Sequence, residues 1–131
     1  MRFLWIILIL FKLIFKDKQK KMINKIPIID QHPEAEIPIE GLVSRLIQAG
    51  EQQFVFMEFD KDTEVPAHTH EAQWGVVLDG EIELTISGKV HLLQKGDTYF
   101  INKDEVHSAK IKAGYKDLTL FNQVDRYKIK E

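Results

Sequence analysis

Cysteine is absent from the chain. That excludes a disulfide scaffold, a thiolate zinc site and a cysteine nucleophile, and it leaves the compartment open. Proline is scarce, and Pro27, Pro33 and Pro38 all fall within residues 22–40. This stretch cannot be one continuous helix and is expected to form an extended arm or edge strand. An overall excess of charge is also lacking, since 18 Lys+Arg face 20 Asp+Glu. The balance is uneven, however: residues 1–21 carry 6 basic and 1 acidic side chain, which leaves 12 basic and 19 acidic for 22–131. An acidic body does not suit a phosphate backbone, so no nucleic-acid partner is expected.

Long hydrophobic runs are missing except for Phe3–Phe15, 13 residues interrupted only by Lys12. As a helix this run would reach about 20 Å, short of a hydrocarbon core of about 30 Å. It has the length of a signal-peptide apolar region, but no small-residue cleavage pattern follows it. Two readings of residues 1–21 stand side by side. The segment is an anchor, in which case the basic run KDKQKK after it keeps the domain cytoplasmic. Alternatively it is upstream sequence of the Phe-, Ile-, Leu- and Lys-rich kind that AT-rich DNA encodes, and the protein starts at Met22. A cytoplasmic location is expected either way, with membrane contact only if residues 1–21 are genuine.

At 131 residues the chain has room for one domain with a real core. From Gly41 onward it breaks into short runs separated by turn signals, the signature of an all-β sandwich or barrel. Strands are expected at Leu42–Gln48, Gln53–Phe59, Glu64–His70, Gln73–Leu78, Glu81–Ile86, Lys89–Leu93, Thr98–Ile101, Val106–Lys112 and Leu118–Val124. Asp79-Gly80 and Ser87-Gly88 suit tight hairpin turns. Strict alternation in Glu81–Ile86 points Ile82, Leu84 and Ile86 to the core and the two glutamates to water. The expected organisation is thus an N-terminal segment (1–21), an arm (22–40), a barrel (41–124) and a tail (125–131).

Within the barrel, His68 and His70 are two apart on one strand, so both imidazoles project from the same face. Two nitrogens converging on one point suit a divalent transition metal, although alternating histidines also occur as hydrogen-bonded surface residues. A third histidine, His107, opens a later strand after the turn in GDTYFINKDEVH. His32, beside Pro33, reads as an exposed loop residue, and His91 as a core-edge or exposed one.

Together, HTHEAQWGVVLDG and GDTYFINKDEVH resemble the two motifs of the cupin superfamily, G-x5-H-x-H-x(3,4)-E-x6-G and G-x5-P-x-G-x2-H-x3-N. His68 and His70 match the paired histidines and Gly80 the closing glycine. Gly96 and His107 match the second motif with its internal spacing. The 15 residues between the motifs, 81–95, suit compact, single-domain microbial cupins of the RmlC-like kind. The resemblance implies a double-stranded β-helix, or jelly-roll barrel, holding one divalent metal, with Fe, Mn, Ni and Zn equally admissible, on His68, His70 and His107.

Several positions depart from the pattern. Asp62 replaces the first glycine, Asn102 and Asp104 the second-motif proline and glycine, and Ile111 the final asparagine. Gln73 stands where the family has glutamate. It is either a fourth ligand or an ordinary strand residue bonded to a neighbour. Glu71, the rival carboxylate, points away by strand parity. A neutral ligand set leaves the full charge of a divalent ion uncompensated and favours an anionic ligand or a more acidic bound water. If Gln73 faces inward so does Gly75, which would leave open space for a small substrate, while Trp74 faces outward to pack between protomers or sheets. Tyr99 is a strand aromatic or a proton donor, and Arg126 and Tyr127 end the chain beyond the barrel with no assigned role. The expected function is binding or transforming a small organic molecule at a mononuclear metal. Enzyme chemistry of dioxygenase, isomerase, cyclase or lyase type stands against a non-catalytic sensor or a barrel with a vestigial site. A homodimer is expected from the apolar outer positions.

Overall fold

The computed structural model of the chain describes residues 5–10 and 26–131. These fall in two units, one ending at Gln31 and the other running from His32 to Glu131. In the first, residues 5–10 are helical. The rest of the Phe3–Phe15 run, the basic stretch after it and Met22 lie outside the described residues. No helix among the described residues is long and apolar enough to cross a membrane. Pro27–Asp30 forms one helical turn instead of the extended chain expected for 22–40. The fixed φ of Pro27 suits a first helical turn, and its missing N–H costs nothing there.

The second unit is all-β. Nine strands run in order: β1 (Leu42–Ala49), β2 (Gln52–Phe59), β3 (Thr63–His68), β4 (Gln73–Asp79), β5 (Glu81–Ile86), β6 (Lys89–Gln94), β7 (Thr98–Ile101), β8 (His107–Ile111) and β9 (Lys116–Phe121). They form two antiparallel sheets, a five-stranded one ordered β1-β2-β9-β4-β7 and a four-stranded one ordered β3-β8-β5-β6. This is an all-β barrel, as the strand pattern predicts, with the jelly-roll arrangement that the resemblance implies. Alternation sets the inner faces: Val55, Met57 and Phe59 of β2, Val77 of β4, Ile82 and Leu84 of β5, Ile101 of β7 and Phe121 of β9 are buried in one core. Ile86 is only partly buried but packs against it.

Most strand ends differ from expectation by a residue or so, and two of the larger differences bear on the site. β3 stops at His68, with a register shift between Val65 and His68. The chain then leaves the sheet before His70, so this histidine is placed by a turn, not by strand alternation. β9 begins at Lys116, ahead of the expected Leu118. Lys116 and Asp117 look like turn residues in sequence, yet Asp117 is an inward-facing strand residue buried to 4% exposure.

The motif positions have identifiable structural reasons. Gly80 has φ +74°, and a Cβ there would meet the Tyr115 Cα at 2.7 Å, so the turn closing the first motif tolerates only glycine. Asp104, standing where the family has glycine, takes φ 62°, a left-handed conformation that aspartate accepts better than most residues. Asp62, at the first motif glycine, accepts the Ala113 N–H at 2.8 Å. Gly75 faces inward as expected, but the space beside it is not open. A Cβ on Gly75 would fall inside the Tyr99 ring, which lies directly over the glycine.

The tail is part of the barrel. Ala35 of the arm bridges Ile129, and the backbone bonds Glu36 N–H to Lys128 O (2.7 Å) and Lys130 N–H to Glu34 O (2.8 Å) strap arm to tail. The amide side chain of Gln53, itself buried, donates to Tyr127 O and accepts from Tyr127 N–H, both at 3.0 Å. On the outside of the five-stranded sheet, Ile47, Phe54, Leu120, Trp74 and Phe100 stand in register across all five strands. Trp74 is 37% and Phe100 55% exposed, so this apolar row faces outward.

Replacing Gly75 with alanine is expected to destabilise the protein by about 2–3 kcal/mol, because the partly buried Tyr99 ring packs against the core and is hydrogen-bonded, and so cannot yield cheaply. Gly88→Ala, where a Cβ meets nothing and only the positive φ is disfavoured, should cost less, about 1–2 kcal/mol. Urea denaturation of the two variants measures the difference.

Candidate metal centre

The three motif histidines meet at one end of the barrel interior. β3 and β8 pair so that His68 lies opposite His107, and the turn after β3 brings His70 to the same place, where its carbonyl accepts the Asp104 N–H at 3.0 Å. Ring centroids are 4.2 Å apart for His68 and His107, 4.6 Å for His70 and His107, and 5.3 Å for His68 and His70. One potential ligand atom from each lies within 4.8 Å of the other two, a group able to hold a metal ion.

The tautomers follow from the main chain. His68 Nδ1 lies 2.8 Å from Pro66 O, His70 Nδ1 2.6 Å from Glu71 O, and His107 Nδ1 2.8 Å from Glu105 O. A carbonyl oxygen only accepts, so each Nδ1 carries the proton and donates, and each Nε2 keeps its lone pair. His70 Nε2 and His107 Nε2 are 3.0 Å apart. Two lone pairs facing each other at that distance repel unless a cation or proton lies between them. Two nitrogens each about 2.1 Å from one metal would be separated by about 3.0–3.4 Å, so the pair fits a shared ion. A proton is the poorer solution. Burial foremost, with the charges of Arg126, His107 and His68 behind it, lowers the His70 pKa to about 4 against the pull of the Glu71 carbonyl. Burial likewise lowers that of His107. Burial thus favours the neutral form of His70 and His107, the state a metal requires.

The histidines open onto a cavity of about 570 Å³ that also receives Gln73, Tyr99, Asp117, Arg126 and Tyr127 among mostly apolar walls. Gln73 is buried and faces the cavity, and its Nε2 donates to the Tyr99 hydroxyl at 3.4 Å. Tyr99 donates to Asp117 Oδ2 at 3.1 Å, and the Tyr115 hydroxyl donates to the same oxygen at 3.0 Å. Asp117 Oδ1 is buried with no partner. Burial raises the Asp117 pKa to about 7 against the opposing effect of the two hydroxyl bonds. Tyr99 is pushed well above the ordinary tyrosine range by burial and by Asp117.

Of the residues singled out in sequence, His68, His70, His107 and Gln73 thus share one cavity, and Tyr99 joins them as the partner of Gln73. Glu71 is turned to the surface in an ion pair with Lys103 at 3.1 Å. His91 lies on β6 and does not line this cavity. Sequence reasoning missed Asp117, because a lysine-aspartate pair resembles a turn, and it missed Arg126 and Tyr127. Those two, placed beyond the barrel in sequence, in fact form part of its wall.

Asp117 and the histidines should oppose each other in stability against pH. The raised Asp117 pKa contributes stability that is full below about pH 4 and lost as pH rises through about 7. The depressed His70 pKa contributes stability that is full above about pH 6.5 and lost as pH falls through about 4. Asp117→Asn should therefore steepen the loss of stability of the metal-free protein between pH 7 and 4, and His70→Gln should flatten it, as read from urea midpoints across that range.

Residues 55–122, more than half of the chain, match the Cupin domain family. No curated protein matches the chain. Among solved structures, an RmlC-like cupin from Shewanella frigidimarina is 27% identical, with 74% of this chain and 87% of that one covered and a TM-score of 0.64. KdgF from Halomonas sp. is 22% identical, covering 71% of this chain and 87% of its own, with a TM-score of 0.62. Oxalate decarboxylase from Bacillus subtilis, 17% identical, shares the fold over 73% of this chain but only 28% of its own length, with a TM-score of 0.63. The histidine pair on β3 and the following turn, the glycine that ends β4 and the histidine that opens β8 all fall within that family match, and the chain belongs to the cupin superfamily.

Proposed function

We propose that the protein holds one divalent metal ion on the Nε2 atoms of His68, His70 and His107, with the side-chain oxygen of Gln73 as fourth protein ligand, and uses it to bind and transform a small organic molecule. The observation that carries this reading is the clustering of three histidines, each with Nδ1 bonded to a main-chain carbonyl and two with their Nε2 atoms 3.0 Å apart, at the end of a cavity large enough for such a molecule. Tyr99 supports the Gln73 assignment. Its proton is given to Asp117, so its oxygen accepts the Gln73 amide N–H and leaves the amide oxygen as the end available to an ion.

Three imidazoles and an amide oxygen suit Fe, Mn, Ni or Zn alike. The Bacillus oxalate decarboxylase, similar in fold, is a protein of Mn(II) centres. Once bound, the ion supplies Lewis-acid polarisation of a ligand oxygen at positions the protein leaves open. The chain's own residues orient that ligand and surround it with apolar wall: Met57, Ile82, Leu84 and Ile101 exclude water from one side of the cavity. A non-catalytic binding module is the second reading. It is favoured by Asp117, the one carboxylate lining the cavity, being engaged by two tyrosine hydroxyls.

We also propose that a second copy of the chain covers the apolar row Ile47–Phe54–Leu120–Trp74–Phe100. The row spans the sheet edge to edge, and a two-fold axis through it would bury the same residues on both copies.

Metal analysis of purified protein should give one ion per chain, falling below a tenth of that in His68→Ala and His107→Ala. Metal content unchanged in both would defeat the reading. Gln73→Glu should tighten binding of a hard cation such as Mn(II) by about tenfold or more, since a carboxylate removes one unit of uncompensated charge. Turnover of small oxo- and hydroxy-acids, phenols and diketones by the loaded protein distinguishes enzyme from binder. In sedimentation experiments the wild type should be a dimer and Trp74→Glu a monomer.

A further inference from the structure

The cavity contains a cation that the protein itself does not satisfy. Arg126 lies in the tail, and the Gln53 clamp on Tyr127 together with the arm–tail backbone bonds holds that tail against the barrel. Its guanidinium carbon sits 4.5 Å from the centroid of the Tyr127 ring and 5.8 Å from that of Phe121. Phe121 in turn stands edge-on to His70 at 5.4 Å, so a single ring separates the guanidinium from the histidine centre. Cation–π contact with these two rings holds the group in place without using its hydrogen-bond donors. Among the described residues no carboxylate lies within 4.0 Å of it, and the buried Nε has no hydrogen-bond partner.

We propose that Arg126 is the recognition group for the carboxylate of a small organic acid bound in the barrel cavity, with a second oxygen of the same molecule turned toward the three histidines. The second half of this statement rests on the metal reading above; the first half does not.

Charge and shape favour this ligand. The ligands proposed for the ion are all neutral, Arg126 adds a positive charge that, after burial, helps lower the His70 and His107 pKa values, and Asp117 is bonded at Oδ2 by two hydroxyls and makes no ion pair with Arg126. A divalent ion beside Arg126 therefore leaves the cavity in need of negative charge, which the ligand must supply. A planar guanidinium edge matches the two oxygens of a carboxylate. One guanidinium is few donors for a phosphate dianion, and the apolar wall of Met57, Ile82, Leu84 and Ile101 suits a carbon skeleton. A cavity of about 570 Å³ sets the size at a small molecule.

Isothermal titration of the full chain with pyruvate, malonate and succinate, with their amides and inorganic phosphate as controls, tests the assignment. At least one carboxylate should bind, at least tenfold more tightly than its amide and more tightly than phosphate. Arg126→Gln should weaken that binding by about 10- to 100-fold, the worth of a charge-assisted hydrogen bond. Arg126→Lys should restore part of it, and metal content and far-ultraviolet circular dichroism should be unchanged in both variants. Equal affinity in Arg126→Gln and wild type, equal affinity for acid and amide, tighter binding of phosphate, or no carboxylate binding at millimolar concentration would each overturn the proposal. The same titrations on chelator-treated wild type keep the two readings apart. Arg126-dependent binding in a protein that takes up no metal would uphold the arginine and defeat the metal centre. A filled metal site with binding indifferent to Arg126 would do the reverse.

Discussion

Three main-chain carbonyls determine what the centre of this protein can be. By accepting the Nδ1 protons of His68, His70 and His107, the oxygens of Pro66, Glu71 and Glu105 leave three unprotonated Nε2 atoms in one cluster, two of which, on His70 and His107, face each other at 3.0 Å. Partial burial then resists the protonation that would relieve the repulsion. The jelly roll is the scaffold that supplies those carbonyls from separate segments: two from the end of β3 and the turn after it, and one from the turn before β8. A cation between the facing lone pairs would relieve their repulsion and would couple the folded geometry to the metal binding proposed above.

Behind the histidines lies a second polar layer, unusual in that it is built around a buried carboxylate. Asp117 gathers the hydroxyls of Tyr99 and Tyr115, and Tyr99 passes the orientation on to Gln73. The arrangement depends on Gly75, because any side chain there would occupy the place of the Tyr99 ring. A glycine that looks in sequence like room for a ligand is in fact room for a tyrosine. The ligand space lies instead between the histidines, the apolar walls and the tail.

The tail shows how a cavity can be completed by residues far from its motifs. Gln53 binds the backbone of Tyr127 as a neighbouring strand would, and the arm at Glu34–Glu36 secures the following residues. This brings Phe121, Tyr127 and Arg126 into a contiguous series of edge-on ring and cation–π contacts that ends at His70. The positive charge of the cavity therefore comes from Arg126, in a segment outside both motifs, and not from the neutral motif histidines.

Local chemistry determined much of this in sequence. Alternating apolar residues marked nearly every strand, and Glu81–Ile86 and Thr98–Ile101 have the bounds expected of them. Gly80 and the histidines are legible because turn geometry and ligand chemistry each admit few residue types. Asp104 is legible for the same reason, as a residue that accepts the left-handed backbone of the glycine it replaces. What the tertiary structure alone decided are the pairings between distant segments: Tyr99 over Gly75, Asp117 beneath two tyrosines, Gln53 on Tyr127 and Arg126 beside the histidines. A period of two tells which face a side chain takes, but not which side chain comes across the barrel to meet it. That depends on the order in which β1-β2-β9-β4-β7 and β3-β8-β5-β6 assemble, a long-range property that no local pattern carries.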